Sequence, residues 1–265
     1  TYLADGPGFA AVSGLSAMTG FRGSVGGEEL GVSMPDPTAG VTTALAIVSA
    51  LEHREQTGVG DHLDIGLWEC TQVLTAEGWM EYVFNGSQPE PNGNRDPWMA
   101  PHGCFPCSGD DEWVSIACAD EAGWRALGDI IDSSLVEDER FNCLANRKDN
   151  EDELEKIVAT WTRKRDRWDI TRELQAAGIA AFPSFSCKDI VEDTHMNERG
   201  YIERLDHPEV GRMAHVGIPW RLQRRANGVR MPAPCLGADT QTLLTDVLGY
   251  DTTKIESLRS DEVLR

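Results

Sequence analysis

The chain has 265 residues, 40% of them hydrophobic and 26% charged, which is the composition of a folded globular protein and not of a disordered or fibrous one. Lys and Arg total 24 against 44 Asp and Glu, a formal charge of −20. That balance argues against nucleic-acid partners and anionic membrane surfaces, because both are bound by neutralising phosphate. At this length roughly 75% of the unfolded surface can be buried, enough for one large domain or two smaller ones. Only 5 of the 24 basic residues are Lys, a composition suited to a salty cytoplasm. The longest apolar run, Ala44 to Leu51, is broken by Ser49 and falls far short of the ~20 residues that span a bilayer. Thr1 to Ala11 lacks the basic start and apolar centre of a signal peptide. The first residue is Thr1, and the expectation is that an N-terminal portion of the natural protein precedes it. Seven cysteines, an odd number, with no export signal fit a reducing cytoplasmic setting.

In chain order, Val41, Ala44, Leu45, Val48 and Leu51 recur at three- and four-residue spacing and predict a helix over about 38–56 with that stripe as its apolar face. Asp36-Pro37 reads as its N-cap and first residue, and Gly58 as its C-terminal stop. His62 to Leu67 alternates as a strand does, and a second helix is expected over about 69–85. Gln88 to Pro101, with four prolines, reads as a linker or active-site loop. A hairpin follows, 103–107 and 112–117, turned at Ser108 to Asp111. Three helices are then predicted. The first carries Trp124, Leu127, Ile130 and Ile131. The second starts at Asn150 with a capping-box-like Glu153 and carries Leu154, Ile157, Val158 and Trp161. The third runs from Asp166 to Gly178 with Ile170 and Leu174. A strand over 179–185 interrupted by Pro183, a hairpin over about 201–219 and helices over about 240–248 and on towards Arg265 complete an α/β or α+β pattern.

Several residues could carry chemistry. Gly6-Pro-Gly8-Phe-Ala-Ala11 fits the loose dinucleotide pattern G-x-G-x-x-A, but Pro7 divides the glycines and only Thr1 to Asp5 precede them. Cys104-Phe-Pro-Cys107 is either a pair of core thiols, the favoured reading, or half a redox or zinc site. No second such pair completes a zinc site, and none of the six histidines stands at metal-ligand spacing from a suitable partner, so no metal is expected. Arg221, Arg224, Arg225 and Arg230 form a basic stretch, either a solvated face or a phosphate holder. Asp36 is an ordinary cap on local physics alone. The same placement, at the positive end of a helix dipole, also suits a nucleophilic carboxylate.

Pro35-Asp36-Pro37-Thr38-Ala39-Gly40, followed by Ala50-Leu51-Glu52-His53-Arg54-Glu55-Gln56-Thr57-Gly58-Val59-Gly60-Asp61 and by Glu69, resembles the class III CoA-transferases, the CaiB/BaiF family, with Asp61 where Gln is usual. The likeness runs on in order. Gly14-Leu15, Gly93-Asn94, Ala100 to Gly103, Gly109 to Val114, Trp124, Arg140-Phe141, Arg147, Gly178 to Pro183 and Ala233 to Gly237 each resemble a family segment. The resemblance implies an α/β fold with a large Rossmann-like CoA-binding domain, truncated here (1–92 plus the returning segment 206–265), a smaller α+β domain (93–205), and an interlocked homodimer. It implies Asp36 as nucleophile, acyl-CoA and a carboxylic acid as substrates, and coenzyme A as a substrate rather than a resident cofactor. Gly40, Asn94, Trp98 and Met99 are implied to lie in the acyl-CoA site, Trp98 and Met99 standing where relatives carry a glycine run in a mobile loop. The family also includes α-methylacyl-CoA racemases, which use a His with an Asp. No His precedes His53 here, which favours the transferase. A third alternative is a non-catalytic subunit of a two-subunit transferase, against which the presence of Asp36 argues.

Overall fold

A three-stranded antiparallel sheet carries the main core. β1 (His102–Pro106) pairs with β2 (Trp113–Ala117), and β2 with β3 (Ala180–Pro183), in the order β1-β2-β3. The computed structural model describes residues 5–24, 28, 31–225 and 227–264, which divide into two units, 1–184 and 185–265.

The first unit opens with α1 (Gly6–Val12), α2 (Leu15–Met18) and the long α3 (Pro35–Thr57). α4 (Leu67–Gln72), a tight turn over Val73–Thr75 and α5 (Ala76–Asn85) follow, so the single helix expected over 69–85 is broken into three pieces. After the β1–β2 hairpin come α6 (Glu121–Ile131), α7 (Ser134–Glu137), α8 (Leu144–Asp149), α9 (Glu151–Thr162) and α10 (Arg167–Ala176). Val114 and Ile116 from the sheet meet Trp124, Leu127, Leu154, Val158, Ile170 and Leu174 from the helices, all buried. The apolar spacing read along 121–178 therefore selects the core correctly, because each of these helices has one face against the sheet. Trp124 and Phe141 pack edge to face with ring centroids 6.3 Å apart.

The second unit holds α11 (Cys187–Glu192), α12 (Thr194–Glu198), the hairpin β4 (Ile202–His207) and β5 (Gly211–Val216), α13 (Thr240–Thr242) running into a wider turn over Leu243–Val247, and α14 (Thr252–Ser260). Asp251 caps α14 by accepting from Lys254 N–H at 2.8 Å.

Three local expectations are corrected, and the disfavoured nucleotide reading falls away. Residues 61–66 form no strand: a strand needs a neighbour's N–H and C=O groups, and no described strand lies beside them. The glycine pattern at Gly6 opens α1 itself, with Asp5 capping it through Gly8 N–H, so it is not a strand–loop–helix nucleotide cradle. The Asn150 capping box does not form, because its side chain donates back to the carbonyls of Asn146 and Arg140. The α3 stripe does not face the core: Val41 is 72% exposed, Leu45 67% and Val48 64%. The described residues contain no parallel strand pair, and no helix among them is long and apolar enough to cross a membrane.

Candidate functional site

Asp36 occupies the second position of α3, two residues inside the cap position that the sequence assigns it, because the helix starts earlier, at Pro35. Pro35 takes the first position, where its fixed φ and missing N–H cost nothing, and Met34 is the cap residue. Pro35 and Pro37 bring no amides, so in the first helical turn only Asp36 carries an N–H to the helix end. The Asp36 side chain caps no backbone group. Its Oδ2 instead accepts a hydrogen bond from the Ser33 hydroxyl, and the residue is exposed. Gly6 approaches from α1. A Cβ built there would stand 2.0 Å from Ser33 Oγ and 3.2 Å from Asp36 Oδ2, so only glycine lets the two segments meet. Gly40 lies one turn further along α3, on the Asp36 face, and a Cβ there would meet nothing within 4 Å. The helix thus presents an exposed carboxylate, held on one side by a hydroxyl and open on the other.

Asn94, Trp98 and Met99 lie on the segment between α5 and β1. The Asn94 carbonyl accepts the Nδ1–H of His102, and Asn94 lines two cavities of about 620 and about 740 Å³ beside β1. Trp98 donates its backbone N–H to Asp96 Oδ1 at 2.7 Å, and the residue is 77% exposed. Met99 forms an isolated bridge with Asp96. Among the described residues no hydrogen bond or ion pair joins Asp36 to Asn94, Trp98 or Met99.

The segment is pinned to α8 and α9. Arg95 pairs with Glu155 at 2.7 Å, with Asp152, and with Glu151 at 3.6 Å. Its guanidinium is held above the ordinary arginine value, chiefly by the Glu155 hydrogen bonds. Lys148 Nζ donates to the Asp96 carbonyl at 2.8 Å and to both Glu151 oxygens at 2.7 Å. Arg147, 2% exposed, holds the Ala100 carbonyl at 3.0 Å and the Phe141 carbonyl at 3.1 Å, stacks over Trp124, and pairs with Glu121. That pairing keeps the Glu121 carboxyl below its ordinary value.

Ser33, Arg95 and Lys148 are not singled out by the sequence. The only signal for Gly6 was the glycine pattern, whose nucleotide reading does not hold. All seven cysteines are free. Cys107 is buried and Cys104 only partly so, so the core-thiol reading holds for Cys107 alone. No group of three metal-ligating side chains occurs among the described residues. Arg221, Arg224, Arg225 and Arg230 are exposed in the second unit, with Arg221 Nη2 donating to the Glu198 carbonyl at 3.4 Å.

Several known proteins resemble this chain. It is 30% identical over 233 residues to a probable CoA-transferase of Mycobacterium tuberculosis, covering 87% of this chain and 29% of that one. It is 28% identical over 255 residues to the succinyl-CoA–D-citramalate CoA-transferase of Chloroflexus aurantiacus, covering 96% of this chain and 63% of that one. Among solved structures, a CaiB/BaiF family protein from Brucella suis superposes with a TM-score of 0.79 at 26% identity, covering 90% of this chain and 61% of that one. The chain thus spans less than two thirds of the length of these relatives. Residues 4–240 match the profile of CoA-transferase family III, and the chain belongs to that family.

Proposed function

We propose that Asp36 is the nucleophile of a CoA transfer between an acyl-CoA thioester and a carboxylic acid. The observation that carries this reading is the placement of Asp36: an exposed carboxylate in the first turn of a 23-residue helix, oriented by Ser33 and bordered by open space at Gly40. The carboxylate oxygen attacks the thioester carbonyl and the CoA thiolate leaves, giving an aspartyl–acyl anhydride. The thiolate then attacks the aspartyl carbonyl and releases the donor acid. The acceptor acid attacks the resulting aspartyl–CoA thioester to form a new anhydride, and the thiolate completes the exchange at the acceptor's carbonyl, restoring Asp36. The sequence splits one hard acyl transfer into easier steps and keeps the thioester energy. Ser33 orients the nucleophile, and the helix dipole favours negative charge at that end.

In this reading residues 1–92 and 206–265 belong to a large CoA-binding domain of Rossmann type and 93–205 to a small one, in an interlocked homodimer. Gly40, Asn94, Trp98 and Met99 border the acyl-CoA, and coenzyme A comes and goes as substrate. Seven free cysteines support a reducing, cytoplasmic setting. The test is Asp36→Ala in the full-length protein. Exchange between succinyl-CoA and a panel of acids should fall at least a thousandfold, and hydroxylamine should trap the aspartyl thioester in wild type only. Undiminished turnover in Asp36→Ala overturns the assignment.

A further inference from the structure

The antiparallel register places Cys104, Ser115 and Phe182 in one row across the sheet. On that open face His102, Cys104, Ser115, Gln175, Phe182 and Asn94 line the cavity of about 620 Å³, within the usual size of small-molecule sites. Most of the chain's buried thiols are closed to chemistry: burial pushes Cys107 up to about 11 and Cys118 up to about 12. Cys104 is different. It is partly exposed, opens into the cavity, and has its sulfur 3.5 Å from Ser184 Oγ. One pleat away on the same strand face, about 7 Å along β1, stands His102. Its Nδ1–H is donated to the Asn94 carbonyl, so in the neutral ring Nε2 is the acceptor. A thiol and a histidine base with a fixed tautomer therefore share one cavity, whose rim carries the Asn94 assigned above to acyl-CoA.

We propose that Cys104 is an acyl-accepting thiol and that the cavity takes the thioester end of an acyl-CoA. The proposal rests on the acyl-CoA reading above. His102 Nε2 takes the thiol proton through an intervening water. The Cys104 sulfur bonds to the thioester carbonyl carbon, the bond from that carbon to the CoA sulfur breaks, and the departing thiolate takes the proton from His102. One thioester replaces another, and nothing is oxidised or reduced. Cys104 then stores or diverts acyl groups on this chain independently of Asp36.

The full chain, incubated with succinyl-CoA and separately with S-acetyl-N-acetylcysteamine, is digested and its acyl-cysteines located by mass spectrometry. Cys104 is expected to acylate at least tenfold faster than the exposed Cys143 and Cys187, with the adduct removed by neutral hydroxylamine. His102→Gln, confirmed folded by circular dichroism, is expected to slow labelling at least tenfold, and Asp36→Ala to leave it unchanged. Labelling of Cys104 no faster than of Cys143 and Cys187, or equally fast in folded His102→Gln, overturns the proposal. Should His102→Gln not fold, the wild-type rate ratio decides alone. The cysteamine thioester separates the two readings. Selective labelling by it in a chain that shows no CoA exchange sustains Cys104 and removes the exchange reading. CoA exchange without Cys104 labelling does the reverse.

Discussion

The Arg95 guanidinium meets the Glu155 carboxylate through two hydrogen bonds, Nε to Oε1 at 2.8 Å and Nη2 to Oε2 at 2.7 Å. This two-point contact fixes orientation as well as distance. It ties the segment bearing Asn94, Trp98 and Met99 to α9, so Trp98 is presented from a held segment despite its exposure. Arg95→Ala is expected to cost about 2 kcal/mol and to raise amide hydrogen exchange over residues 94–99 while the sheet stays protected. Unchanged exchange there would show that Lys148 suffices to hold the segment.

Arg147 is expected to matter more. Its guanidinium satisfies two buried carbonyls and covers the Trp124 ring, so Arg147→Ala should cost about 3–5 kcal/mol, read as a lower urea midpoint at constant m. Its partner Glu121 is half exposed, so solvent screens that side of the pair. Glu121→Gln is expected to cost about 1 kcal/mol or less. Equal costs for the two variants would mean that the ion pair, and not the carbonyl contacts, does the holding.

Burial of Cys118 sets a pH dependence. Its thiol is raised from 9.0 to about 12, so the folded state favours the protonated form. The associated stability is full below the ordinary value of 9.0 and is lost as pH rises towards about 12. Thermal melts on either side of that ordinary value should show a fall in Tm, and Cys118→Ala should flatten the alkaline limb while lowering Tm at neutral pH through lost packing. An alkaline limb of the same slope in Cys118→Ala would point to another group.

The contact between Gly6 and Ser33 predicts a kinetic effect without a large stability effect. A methyl at Gly6 displaces the Ser33 hydroxyl from Asp36. Gly6→Ala and Ser33→Ala should each lower kcat of CoA exchange about tenfold, the loss of about 1.4 kcal/mol of orientation, with KM little changed. A double variant no worse than either single one would place both residues on the same interaction.

The sequence was most legible where residues contact near neighbours. The helices carrying Trp124, Leu154 and Ile170 and the two hairpins were read directly, because spacing along the chain reports the buried face whenever one face is buried. The strand at His62 to Leu67 does not form, and at Val41 to Leu51 the helix forms but its apolar stripe is left uncovered. Both have sound local patterns, but neither has a partner among the described residues to complete a ladder or cover a stripe. Asp36 stood out locally as a carboxylate at a helix start, but only the family resemblance favoured the nucleophile over the cap, since an Asp beside a Pro there is a common cap.

By itself, then, the sequence determined the helix and strand content of 102–183, the family, and the carboxylate on which its chemistry is proposed to turn. Those rest on periodicity, turn residues and an ordered set of short motifs, all local along the chain. Only the tertiary structure decided that Gly6 packs against Ser33, that Arg95 reaches Glu155 across 60 residues of sequence, and that Cys104 shares a cavity with His102 and Gln175 while Cys107 is sealed away. Each of these joins segments distant in sequence, and a pairwise contact between distant segments leaves no periodic trace in either one.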